Sequence, residues 1–203
     1  RTKSSVSSRL SFSRLRSTAR SSPGLPSEAS RWRSTDAFRI VSVAANGWLS
    51  MYLARRLSSI WQVEDAFRVC MKSSEAEVDL IFREAEIALT TQRPAAGNLA
   101  SRQSVPIRFA AYARRAVASE VQERWISIGR EQASTRADTW ISSQPDRWIS
   151  LWTTTVPMLL ELARSGGGRA ILPCFIGDGE PDLIRLGDPI EELSAHLWIT
   201  MHD

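Results

Sequence analysis

Apolar positions along the chain change their period from one stretch to the next, and those changes mark the elements. Phe38-Arg39-Ile40-Val41-Ser42-Val43 reads as a mostly buried strand. Asn46-Gly47 marks a turn. Leu49, Leu53, Leu57 and Ile60 then fall at helical spacing, one apolar stripe on a helix ending near Trp61. Phe67-Arg68-Val69-Cys70-Met71 alternates as a strand does. Ser73-Ser74 with Glu77 forms a capping-box-like start, followed by a second stripe of Val78, Ile81, Phe82 and Ala85. Glu86-Ile87-Ala88-Leu89 closes a β-α-β-α-β series with short links, the pattern of a parallel sheet covered by helices.

Pro94 to Gly97 interrupts this series, and Ile107 to Tyr112 reads as the strand leading out of it. A second series follows. Its parts are a strand at Trp125–Ile128, a helical stretch around Thr139-Trp140-Ile141, a strand from Trp148 to Trp152, and a helix presenting Val156, Leu159, Leu160 and Ala163 on one face. Gly166-Gly167-Gly168 ends that helix. Ala170 to Phe175 is a strand carrying Pro173, which places the proline at a strand end or edge. Leu183–Leu186 and Leu197–Met201 are two further strands. Two α/β units in succession imply two lobes with mostly parallel sheets and a cleft between them.

Composition changes this picture at one end only. Residues 1–36 hold eight Lys and Arg against Glu28 and Asp36, whereas the remainder holds 18 basic and 20 acidic residues. The basic balance therefore belongs to the start of the chain, and a charge argument for a nucleic-acid-binding body fails. Rich in Ser and Arg and without sustained period, residues 1–36 read as a disordered basic tail. The remnant of a linker helix and an organelle transit peptide are the alternatives. The apolar fraction of 43% supports a substantial core, and no apolar run approaches the ~18 residues of a membrane span. Cys70 and Cys174 suit packed thiols in a reducing cytosol.

The residues from Gly168 to Asp178, continued by Pro181-Asp182-Leu183-Ile184-Arg185-Leu186, resemble the distal part of the effector-binding domains of LysR-type transcription regulators. His196 to His202 is similar to that family's last strand. Ile40–Val43 with the helix through Leu53–Leu57 resembles its opening, and Glu86 to Pro94 its third strand and following loop. The resemblance covers about 38–203 and implies a type 2 periplasmic-binding-protein-like fold of two Rossmann-like lobes. Lobe I is expected over 37–110 and 184–203, and lobe II over 111–183. The chain departs from the family pattern in four ways. No winged helix-turn-helix precedes the sensor, the chain stops at Asp203 before the family's closing helix, Arg169 stands at a position usually apolar, and the segment from Tyr112 to Trp125 is short.

In an open parallel sheet, ligands bind beyond the carboxyl ends of the strands. Ala45, Asn46 and Trp48 follow the first strand, Thr91 follows the third, Thr153, Thr154 and Thr155 follow the strand ending at Trp152, and Phe175 ends its own. Two of these turns lead into helix starts, whose free N–H groups favour anions. The expectation is a small, anionic organic effector held in the cleft by these eight residues. Each has a plainer role as well: Asn46, Thr154 and Thr155 as helix caps, Trp48 and Phe175 as core. The resemblance further implies a homodimer or tetramer in the cytoplasm, with DNA contacted only through a winged helix-turn-helix, and no membrane partner.

Catalysis finds little footing. The histidines are His196 and His202, and HExxH, CxxC, Walker and GxSxG patterns are absent. The glycine triplet follows a helix and so makes a poor phosphate cradle. No catalytic residue, metal site or cofactor is expected. Two further readings stay open: a stand-alone two-lobed solute-binding protein, and a truncated, non-functional fragment of a regulator.

Overall fold

A computed structural model of the chain describes residues 39–73, 85–93, 99–121, 124–129, 136–144 and 148–202. The expected tail over 1–36 and the helical stripe at Val78, Ile81 and Phe82 lie outside the described residues. Contacts divide the chain into two units. The first takes in Arg1–Asn46, Leu53–Val105 and Leu197–Asp203, the second Gly47–Tyr52 and Pro106–His196.

The first unit is built on one five-stranded sheet. Its strands are β1 (Arg39–Ala45), β2 (Phe67–Ser73), β3 (Ile87–Thr90), β4 (Leu99–Ile107) and β10 (Ala195–His202), in the order β2-β1-β3-β10-β4. β1 runs parallel to β2 and β3, and β10 runs antiparallel to β3. The alanines Ala44, Ala85 and Ala88 pack together with Leu99 against them. After β1 come helix α1 (Gly47–Arg55) and a single turn, α2 (Leu57–Ile60). The expected single helix breaks at Arg56, where the Ser59 hydroxyl donates to the Arg56 carbonyl at 2.7 Å and competes with the helical ladder.

The second unit contains β5 (Phe109–Arg114), β6 (Arg124–Ile128), helix α3 (Arg136–Ser143), β7 (Trp148–Thr153), helix α4 (Val156–Arg164), β8 (Ala170–Pro173), the short helix α5 (Cys174–Gly177) and β9 (Leu183–Leu186). β6 and β7 pair in parallel; β5 pairs antiparallel with both β8 and β9. A parallel bridge between Trp125 and Arg169 joins the two sets, with the Ile126 amide donating to the Arg169 carbonyl and the Arg169 amide to the Arg124 carbonyl, each at 2.8 Å. The resulting order is β7-β6-β8-β5-β9.

Each sheet thus has its first strand between the second and third, then one antiparallel strand, then a last one. The antiparallel strand is in each case the one that enters as the chain crosses from the other unit: β10 in the first, β5 in the second. This is why the sheets are mixed at one side while β1, β2, β3 and β6, β7, β8 stay parallel. β5 and β9 both belong to the second unit, where β9 pairs with β5 along Ala111↔Leu186 to Arg114↔Leu183.

Local signals account for much of the second unit. Thr155 caps α4, its hydroxyl accepting from the Met158 amide at 3.4 Å, with Pro157 tolerated in the first turn. α4 buries Val156, Leu159, Leu160 and Ala163, the stripe expected from spacing. It stops in a Schellman arrangement: Gly166 has φ +88°, its amide meets the Ala163 carbonyl at 3.1 Å, and the Gly167 amide meets that of Leu162 at 3.0 Å. Pro173 ends β8, as the proline requires.

Candidate functional site

The eight candidate residues fall on the carboxyl ends of parallel strands, but in two groups. In the first unit Ala45 is the last residue of β1 and pairs with Leu89 of β3. Because the two strands are parallel and in register there, Asn46 and Thr91 emerge at the same sheet edge. Ala45 is buried, and Asn46 and Thr91 are half-buried. Beside Thr91, the Thr90 hydroxyl donates to the Gln92 carbonyl at 2.7 Å, and Arg93 lies 5.6 Å from the centre of the Trp198 ring.

In the second unit Thr153 ends β7, Thr154 and Thr155 turn the chain into α4, and Phe175 lies just past β8. Thr153 is buried; its carbonyl accepts from the Gly129 amide and its hydroxyl from the Thr155 amide at 3.4 Å. Thr154 and Thr155 are exposed. Phe175 was expected to end a strand but sits in α5, since the apolar run Ala170 to Phe175 outlasts the pairing, which stops at Pro173. Trp48 belongs here too: the Gly47–Tyr52 part of α1 falls in the second unit, and Trp48 joins the buried cluster of Ile128, Val156, Leu159 and Leu172. Tyr52, which sequence reading passed over, meets Phe175 edge-on at 5.1 Å between ring centres.

This edge offers the first-turn amides of α4, two exposed threonines and an aromatic surface, a combination suited to a small anion with an apolar part. Among the described residues no group of three or more His, Cys, Asp or Glu is placed to hold a metal ion.

No protein-family model matches the sequence, and no curated protein sequence does either. Solved structures do match. The regulatory domain of CrgA, a LysR-type transcriptional regulator from Neisseria meningitidis, superposes with a TM-score of 0.63 at 18% identity, over 82% of this chain and 90% of that one. The HypT regulatory domain from Salmonella typhimurium in its apo form gives 0.62 at 14% identity, over 82% and 88%. The reduced OxyR2 regulatory domain from Vibrio vulnificus gives 0.61 at 12% identity, over 83% and 89%. The chain has the LysR regulatory-domain fold. It spans 62% of the length of the CrgA chain that is described as the regulator rather than as its regulatory domain.

Within this LysR regulatory-domain fold the chain has a polar group that periodicity did not reveal. The buried Tyr112 of β5 donates its phenol to Asp178 at 2.7 Å, and Arg185 of β9 lies 3.8 Å from the same carboxylate oxygen. Burial, then the hydrogen bond to Asp178, push the Tyr112 pKa far above its ordinary value. Asp178 in turn raises that of Arg185. These three residues line a shallow basin of about 490 Å³ with Arg115 and Glu180. Gly177 makes the arrangement possible: a Cβ there would overlap the Tyr112 ring, 2.6 Å from Cε1. A glycine one residue before an aspartate is the only trace of this in the sequence. Arg164 ties the same loop to α4, 3.7 Å from both Glu180 and Asp182.

Proposed function

We propose that this chain is the effector-sensing domain of a LysR-type transcription regulator, which binds a small organic anion and thereby controls DNA binding and transcription. The observation that carries this reading is the match of this chain to about nine-tenths of the CrgA and HypT regulatory domains, at TM-scores of 0.63 and 0.62. Two neighbours bear on the ligand's charge: a HypT regulatory domain is bromide-bound, and a mutant OxyR2 regulatory domain is sulfate-bound. Its output is a ligand-coupled shift between conformations rather than catalysis. A homodimer or tetramer in the cytoplasm, reaching DNA through a winged helix-turn-helix, completes the reading.

The anion is assigned to the carboxyl-end residues, with the first turn of α4 and the hydroxyl of Thr154 as its principal donors. Thr155 already serves as the cap, so Thr154 is the side chain left to face a ligand at that turn. A hydrogen bond to a charged group contributes about 1.5–3 kcal/mol. Thr154→Ala therefore weakens binding about tenfold or more, and Thr154→Val does nearly the same while keeping shape. Calorimetric titration of the three proteins with acetate, succinate and phenylacetate tests this. Binding whose affinity neither substitution alters places the site elsewhere, and absence of binding by the whole panel counts against the anion reading.

A further inference from the structure

The basin beside Tyr112 lies toward the edge of the second unit opposite the strand ends. β5 runs against β8, with Phe109 beside Pro173 and Tyr112 beside Ala170, so the end of β5 falls by the start of β8. Thr153 and Phe175 lie at the other edge, at the ends of β7 and β8. Tyr112 and Arg185 are direct partners across β5 and β9, so their side chains project from one face of the sheet. Charges of both signs line the hollow. Arg115, just past β5, makes no ion pair among the described residues; its Nη2 donates to the Leu183 carbonyl at 3.3 Å. Asp178 accepts from the Tyr112 phenol at 2.7 Å, while Arg185 stands 3.8 Å from that same oxygen, beyond hydrogen-bond distance. The side chains of Asp178 and Arg185 are both about half-exposed. Glu180 is instead buried and faces Arg164 at 3.7 Å. The open charges are therefore the guanidinium of Arg115 and the carboxylate of Asp178, and Pro181 and Ile184 add apolar surface in the same hollow.

We propose that this basin is a ligand site separate from the strand ends, and that it takes a free α-amino acid with an apolar side chain. The ligand's carboxylate pairs with Arg115 and its ammonium with Asp178. A ligand of one charge would leave the basin's opposite charge beside it, whereas a zwitterion meets both. Its apolar side chain then rests on Pro181 and Ile184. The basin's volume of about 490 Å³ falls within the range of about 300–1,000 Å³ common to small-molecule sites. The proposal does not rest on the effector-sensing reading, which concerns the start of α4.

The basin is shallow and its charges are partly open to water, so binding is weak and is read by backbone-amide NMR of the whole chain. The probes are L-leucine, isocaproate, which lacks its amine, and isoamylamine, which lacks its carboxylate. L-leucine should shift the amides of Arg115, Gly179 and Ile184, and each analogue should bind at least about threefold more weakly, the scale of one partly exposed ion pair. Arg115→Gln, at an exposed position, should weaken L-leucine and isocaproate about threefold to fivefold and leave isoamylamine no weaker. Asp178→Asn should weaken L-leucine and isoamylamine and leave isocaproate no weaker. Four results overturn the proposal: no shift at the three amides, shifts confined to the start of α4, an analogue that binds as tightly as L-leucine, or an Arg115→Gln that weakens isoamylamine as much as isocaproate. If Asp178→Asn loses cooperative melting with its bond to Tyr112, the three probes on the wild type and Arg115→Gln decide the matter by the same criteria. Failure of the effector-sensing reading shows separately, as an α4 start that no carboxylate shifts while L-leucine still shifts the basin.

Discussion

The two units share a strand order and differ in what fills it. Among the described residues, the first unit packs Ala44, Ala85 and Ala88 at its centre and buries a hydroxyl, that of Thr200, 3.2 Å from Ser101. The second buries Tyr112, Trp125, Ile126, Leu160, Leu172 and Ile176 almost completely. Trp125 also stacks edge-on to Trp140 at 6.0 Å. Topology here follows from which strands pair and where the chain crosses, and the described residues fill it differently: the first unit sets Val41, Val43, Leu53, Phe67, Ile87 and Leu89 around its alanines, without a fully buried aromatic ring of the Trp125 or Tyr112 kind. A closely packed aromatic core holds the elements it supports in place, so the second unit offers a fixed platform for a ligand's donors.

Substitutions separate the two cores. Trp125→Ala removes an almost fully buried indole of the second unit and should cost about 3–5 kcal/mol, read as a fall in the urea midpoint. Gly177→Ala forces a methyl into the Tyr112 ring, and about 3 kcal/mol is expected. In the first unit Ala88 is fully buried among small neighbours, and Ala88→Leu should cost about 1–3 kcal/mol by overpacking. If Ala88→Leu proves neutral, the first unit is loosely filled and the contrast sharpens. If it exceeds Trp125→Ala, the contrast is wrong.

Tyr112 supplies a contrast in pH. Its folded pKa is raised above the ordinary 10.0 by burial and then by the bond to Asp178. Above about pH 10 the unfolded chain releases the phenol proton while the folded chain keeps it. The folded state then binds more protons, and stability falls as pH rises, by up to about 1.4 kcal/mol per unit; below pH 10 this contribution is constant. Denaturation between pH 9 and 11 should show that slope in the wild type, and Tyr112→Phe should lack it. The smallest effect is at the α4 cap: Thr155→Ala should cost about 0.5–1 kcal/mol, since its hydrogen bond is long at 3.4 Å. Differential scanning calorimetry resolves it.

Strands rich in Val and Ile, the α4 stripe, its glycine stop and the proline at the end of β8 were all legible, because each is a local pattern with one structural outcome. β4 was not. Leu99-Ala100-Ser101-Arg102-Gln103-Ser104 shows neither alternation nor an apolar run, since most of that strand's side chains are exposed. Phe175 read as strand because an unbroken apolar run carries no period. The candidate site was legible as strand ends and helix starts, down to Thr155 in its plainer role as a cap. What escaped was tertiary: that Tyr52 reaches Phe175, and that Tyr112, Asp178 and Arg185 meet across three elements.

The claim that a small anion is sensed at the start of α4 is tested most directly by amide hydrogen exchange, with and without saturating concentrations of whichever of acetate, succinate and phenylacetate binds most tightly. The account predicts slowed exchange at Thr154, Thr155, Val156 and Met158, the amides that face or border the helix start, with little change along β9. Slowing confined to other elements, with the α4 start unchanged, would contradict it.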